Sequence, residues 1–67
     1  MLEVGTAVTY IHNRNSIGFI EGPVYNIRTI RGNKTKKWNG MYYIFSYSFI
    51  SKSWRRIASD KKYIREA

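Results

Sequence analysis

Met41-Tyr42-Tyr43-Ile44-Phe45-Ser46-Tyr47-Ser48-Phe49-Ile50 is the stretch from which the fold is read. β-branched and aromatic residues dominate it, which is strand composition. In a strand, side chains alternate between faces. Met41, Tyr43, Phe45, Tyr47 and Phe49 share one face, and Tyr42, Ile44, Ser46, Ser48 and Ile50 the other. Neither face is cleanly polar, so the strand is expected in the middle of a sheet, with neighbours on both sides.

The flanking segments supply those neighbours. Val4 to Ile11 reads as a first strand, followed by the polar loop His12-Asn13-Arg14-Asn15-Ser16. A second strand starts at Ile17 and meets Gly22-Pro23. Proline lacks a donor for the ladder, which predicts a bulge or sharp bend there. The same strand, or a third one, resumes over Val24 to Ile30. Arg31 to Lys37 reads as a basic loop. Asn39-Gly40 is a tight-turn signal, because a type I′ turn needs positive φ at both central residues. It either closes a hairpin whose first arm is Lys34 to Trp38, or ends a longer loop. Ser51-Lys52-Ser53 is a turn, and Trp54 to Ile57 a further strand. Ala58-Ser59-Asp60 leads into a short helical turn, with Ser59 or Asp60 as its cap. Lys61 to Ile64 completes that turn or pairs as a last strand.

The chain has 67 residues, room for a single domain over 1–67. Domains of this size bury only about 60% of the surface their unfolded chains expose. There is no cysteine and one histidine, so no disulfide, metal site or cofactor is expected. No apolar run approaches the roughly 20 residues of a membrane helix. The N-terminal residues do not read as a signal peptide. The expected location is cytoplasmic, with no membrane contact.

Five short strands, a bulged second strand and a helical turn before the last strand resemble a small Src-homology-3-like barrel of the Tudor or KOW type. Val4-Gly5-Thr6-Ala7-Val8 looks like the "V-G-D-x-V" opening of these domains, with Thr6 where an acid is frequent. Ile17-Gly18-Phe19-Ile20-Glu21-Gly22 looks like their "x-G-x-V-x-G" second strand. Trp54-Arg55-Arg56-Ile57-Ala58-Ser59-Asp60 looks like the "R-x-V-x-A-S-D-L" ending, with Lys61 in place of leucine. The segment from Arg28 to Lys37 is longer and more basic than the usual connection. The resemblance implies a mostly β, five-stranded barrel that binds rather than catalyses. Its members bind RNA, DNA, ribosomal components, RNA polymerase or methylated peptides, and fold alone does not choose among these.

Charge narrows the choice. The net charge is +8, and residues 28 to 65 hold eleven cations against the single acid Asp60. A field so lopsided attracts polyanions. With four acids and one histidine, no paired acid–base constellation is expected, and the protein is read as a non-enzyme. Ser59 beside Asp60 is better explained by capping than by nucleophilic chemistry.

The binding candidates are aromatics among cations. Trp54 stands beside Arg55 and Arg56, and Trp38 follows Lys36 and Lys37. Single-stranded nucleic acids are held by stacking on aromatic faces and by cations along the backbone. If Ile57 faces the core, Trp54 and Arg56 face solvent together; a core position for Trp54 is the competing reading. Eleven aromatics exceed what so small an interior holds. Tyr42, Trp38 and Trp54 are assigned to the surface, and Tyr43, Phe45 and Tyr47 to the core. Arg28, Arg31, Lys34, Lys36 and Lys37 form a second candidate, suited to phosphate contact without base reading. Lys61, Lys62 and Arg65 form a third.

The first functional expectation is a sequence-tolerant binder of DNA or RNA. The second is a protein-interaction module or inhibitor that docks on an acidic surface of a nucleic-acid enzyme, such as RNA polymerase or a nuclease, of the kind phages and mobile elements encode. An aromatic cage for a methylated ligand ranks last, because a positive surface opposes a cationic ligand. The protein is expected to be a monomer or a weak homodimer through an uncovered strand edge.

Overall fold

A computed structural model describes all of residues 1–67. Five antiparallel strands form one sheet: β1 (Ala7–Tyr10), β2 (Asn13–Ile30), β3 (Asn33–Ser48), β4 (Ser53–Asp60) and β5 (Ile64–Glu66). The spatial order is β4-β3-β2-β1-β5. β3 is therefore interior, as its two unpolar faces required. A 3-10 turn, Lys61–Tyr63, connects β4 to β5. Asp60 caps it, its carboxylate accepting from the Lys62 backbone N–H at 3.0 Å. This small, mostly β architecture is compatible with a Src-homology-3-like fold. The sheet is not closed, and β4 and β5 remain its two edges.

The face of β3 that enters the core is that of Tyr42 and Ile44. Val8, Ile20, Tyr42, Ile44 and Ile64 form the buried cluster, and Leu2, Tyr10, Trp38 and Ile57 pack around it. Gly18 lets the sheet curl tightly here. A Cβ at that position would meet Ile44 Cγ2 and lie 2.6 Å from the Tyr10 hydroxyl. Tyr42 is 2% exposed, and its hydroxyl accepts from the Leu2 backbone N–H at 2.9 Å.

Four sequence expectations are corrected. The first strand begins at Ala7, because the chain turns tightly before it, and Val4 is exposed. The polar stretch from Asn13 to Ser16 is strand rather than loop, and Ser16 pairs with Ser48. The basic segment Arg31–Lys37 is not a loop. Ile30 pairs with Asn33, so the turn is Arg31-Gly32, with φ of 50° and 79°. Two positive φ values are what a two-residue type I′ connection demands. Asn39-Gly40 closes no hairpin. Pro23 pairs with Tyr42 and Tyr25 with Trp38, so residues 39–41 bulge opposite Val24. Gly40 takes a φ of 84° there. Two side chains hold the bulge: Trp38 Nε1 donates to the Met41 carbonyl at 2.8 Å, and Asn39 Oδ1 accepts from the Met41 N–H at 3.0 Å.

The bend foreseen at Gly22-Pro23 is present as two register shifts, between Ile20 and Gly22 and between Pro23 and Tyr25. The bulges divide the β2–β3 hairpin into two parts. Up to Pro23 it belongs to the packed body. From Tyr25 to Ile30, and back from Asn33 to Lys37, it is a two-stranded ribbon whose residues are all exposed. At about 3.4 Å per residue, six residues carry the ribbon about 20 Å beyond the body. The molecule measures 48 × 19 × 19 Å, and its radius of gyration is 13.9 Å. A compact chain of this length would have about 11 Å.

Candidate nucleic-acid interface

Two surfaces emerge. The first is the ribbon. Residues directly opposite each other in an antiparallel pair share a face. Tyr25 pairs with Trp38, Ile27 with Lys36 and Thr29 with Lys34, so these residues line one face. Asn26 with Lys37, Arg28 with Thr35 and Ile30 with Asn33 line the other. Arg31 sits at the tip. Arg28, Arg31, Lys34, Lys36 and Lys37 are all exposed, and no acid occurs between Val24 and Trp38. The Lys36 ammonium lies 5.8 Å from the Tyr25 ring centre.

The second surface is the outer face of the body. Trp54 on β4 pairs with Tyr47 on β3, and Phe45 pairs with both Phe19 and Arg56. The Trp54 ring lies 5.1 Å from Tyr47, and 6.1 Å from each of Phe19 and Phe45. Phe49 continues the row, 5.3 Å from Tyr47. Trp54 is 53% exposed and Phe45 46%. Arg56 lies over Tyr43, its guanidinium carbon 4.8 Å from the ring centre, and its Nε donates to Glu21 at 2.9 Å. The bulge at Glu21 puts that carboxylate beside Arg56, so the charge on this face is largely neutralised locally.

The sequence candidates divide among these surfaces. Trp54 and Arg56 do share the outer face, and Ile57 points inward, as expected. Tyr42 is no part of any surface; it is the largest fully buried side chain. Trp38 is half-buried at the ribbon root, tilted against Tyr42 at 5.2 Å. The Lys61 ammonium lies 5.2 Å from the Trp38 ring, which adds a cation to that root. Lys62 lies over Tyr63 at 5.1 Å, away from the ribbon. Arg55 faces the opposite side from Trp54 and lines a cavity of about 370 Å³ with Tyr10, His12, Ser46 and Tyr63. Arg65 pairs with Thr9 at the β5 edge. Trp38 and Lys61 thus adjoin the ribbon, whereas Trp54 with Arg56, Arg55 and Arg65 lie on other parts of the surface.

Phe19, Tyr43, Phe45 and Tyr47 were assigned inside or left aside, yet they form the outer face. Tyr43 and Phe45 are exposed and Tyr47 half-buried. The signal lay in side-chain size. Gly18 pairs with Ser46 and lies under Ile44, so the inner face takes small residues at this end, and Phe19, Phe45 and Tyr47, on the alternate positions, fall on the outer face, while Tyr42 turns inward.

Comparison with protein families, curated proteins and solved structures finds no match for this chain. No helix is long and apolar enough to cross a membrane.

Proposed function

We propose that this protein is a sequence-tolerant nucleic-acid-binding module related to the Tudor and KOW type of small β domain. The observation that carries this reading is the ribbon: five exposed cations and no acid on an arm that packs against nothing else in the chain. An arm of this kind adds nothing to the core. Its charge suits phosphate contact, which tolerates imprecise geometry and releases counterions. Lys61 extends the basic surface to the ribbon root. Trp54, Phe45 and Phe19 offer ring faces on which unpaired or terminal bases stack.

Titration with single- and double-stranded DNA and RNA, followed by tryptophan fluorescence at low and at physiological salt, tests the reading. Salt-sensitive binding at micromolar concentration or tighter supports it. Absence of binding to all four at low salt rejects it.

One observation favours a second reading. Arg56 is held by Glu21 and Tyr43 amid packed aromatic rings, and Trp, Tyr and Arg are the residues enriched at protein-binding hot spots. The outer face would then dock on a protein, with the ribbon reaching an acidic surface beside it. A methylated-ligand cage fits less well. The rings around Trp54 pack on the indole itself, which fills the centre that a cage leaves open for its cation.

A further inference from the structure

The ribbon carries its charge on both faces. Lys34 and Lys36 stand with Tyr25 and Ile27 on one; Arg28 and Lys37 stand with Ile30 on the other; Arg31 is at the tip. A ribbon meant to lie flat on a polyanion needs cations on one face only. Cations on both faces suit a slot with phosphates along each wall.

The dimensions select the slot. Stacked sheets lie about 10 Å apart, so one layer with its side chains is about 10 Å thick. The major groove of B-form DNA is about 12 Å wide and about 8.5 Å deep, and it admits a two-stranded ribbon. The B-form minor groove, about 6 Å wide, is too narrow. The major groove of A-form RNA is deep and too narrow for side chains to read.

We infer that residues 25–37 enter the major groove of double-stranded B-form DNA, with Lys34 and Lys36 facing one strand's phosphates and Arg28 and Lys37 the other's. This rests on the nucleic-acid-binding reading above and specifies its ligand. Contacts to phosphates on both walls give no strict sequence code.

The test uses the full chain and three probes of one sequence: a 20-base-pair DNA duplex, the matching RNA duplex and the single DNA strand. A shortened variant lacks Ile27, Arg28, Thr35 and Lys36, which removes two cross-strand pairs and leaves the register and turn intact. Its fold is checked by circular dichroism; a variant that fails to fold is replaced by Arg28→Gln/Lys36→Gln, two exposed positions.

The expected result is DNA-duplex binding at least tenfold tighter than to either other probe. Guanine N7 atoms on both strands are then protected from dimethyl sulfate, and the shortened ribbon weakens duplex binding at least tenfold with little effect on the single strand. Equal or tighter binding to the RNA duplex or the single strand, or protection of adenine N3 without guanine N7, overturns the inference while the broader reading stands. Binding to none of the probes overturns both.

Discussion

An alanine at Gly18 would press its Cβ against Ile44 and the Tyr10 hydroxyl, both held in the packed interior. Neither neighbour is the loose end of an exposed chain. Overpacking of this kind costs about 1–3 kcal/mol. For a domain this small, each kcal/mol is worth roughly 4–8 °C in Tm. Gly18→Ala is therefore expected to melt at least 5 °C lower, read by thermal denaturation. Trp54 is a different case, because its ring is half in water yet packs on Tyr47, Phe19 and Phe45. Trp54→Ala should lower Tm by several degrees and weaken single-strand binding by about 1–3 kcal/mol if bases stack there. A large fall in Tm with unchanged affinity would show the indole to be structural. The contrast between Tyr42 and Tyr43 shows what was legible at this scale. Strand alternation put them on opposite faces, but the two rings are the same size, so size could not say which face is the inner one. The deciding fact is that Tyr42 shares its face with Ile44 and Ser46 and closes the core with Val8, Ile20 and Ile64.

The interior strand over Met41 to Ser48, the bulge near Pro23 and the turn capped by Asp60 were readable from turn chemistry and alternation. The hairpin turn was not. Asn39-Gly40 has the stronger tight-turn composition, yet the chain turns at Arg31-Gly32 and uses Asn39-Gly40 in a bulge. Local preference lost to register: pairing Ile20 with Ile44 and Phe19 with Phe45 fixes the hairpin's axis, and the turn falls where the arms come out equal. Arg31 in consequence holds a φ of 50° that asparagine adopts more readily. Left-handed backbone costs an ordinary residue about 1–2 kcal/mol. Arg31→Asn should slow amide exchange in the ribbon about fivefold. Tm should barely move, because the ribbon contacts nothing in the core. Exchange that is unchanged would mean that the ribbon opens elsewhere, at the bulge opposite Val24.

Only 8 of the 67 residues are buried, and the molecule is more than twice as long as it is wide. A chain short of core material has nonetheless committed thirteen residues, 25–37, to an arm outside the body. That arm is where sequence and structure diverge most. The cations of Arg28 to Lys37 were recognisable as phosphate contacts, whereas a flexible loop was expected to carry them. As paired strands they have fixed spacing and two defined faces. The outer aromatic face was largely hidden, because its rings looked like core. The expectation of a binder without catalysis or cofactor rests on composition.

The central claim is that the ribbon cations bind phosphates, and the measurement closest to it is the salt dependence of DNA affinity. The chain and its Lys34→Gln/Lys36→Gln/Lys37→Gln variant would be titrated with the same duplex between 50 and 200 mM salt. Each phosphate contact contributes about 0.9 to the slope of log affinity against log salt. The account predicts a slope shallower by about 2 to 3 in the variant, with weaker binding at low salt and an unchanged Tm. Equal slopes and equal affinities would contradict it.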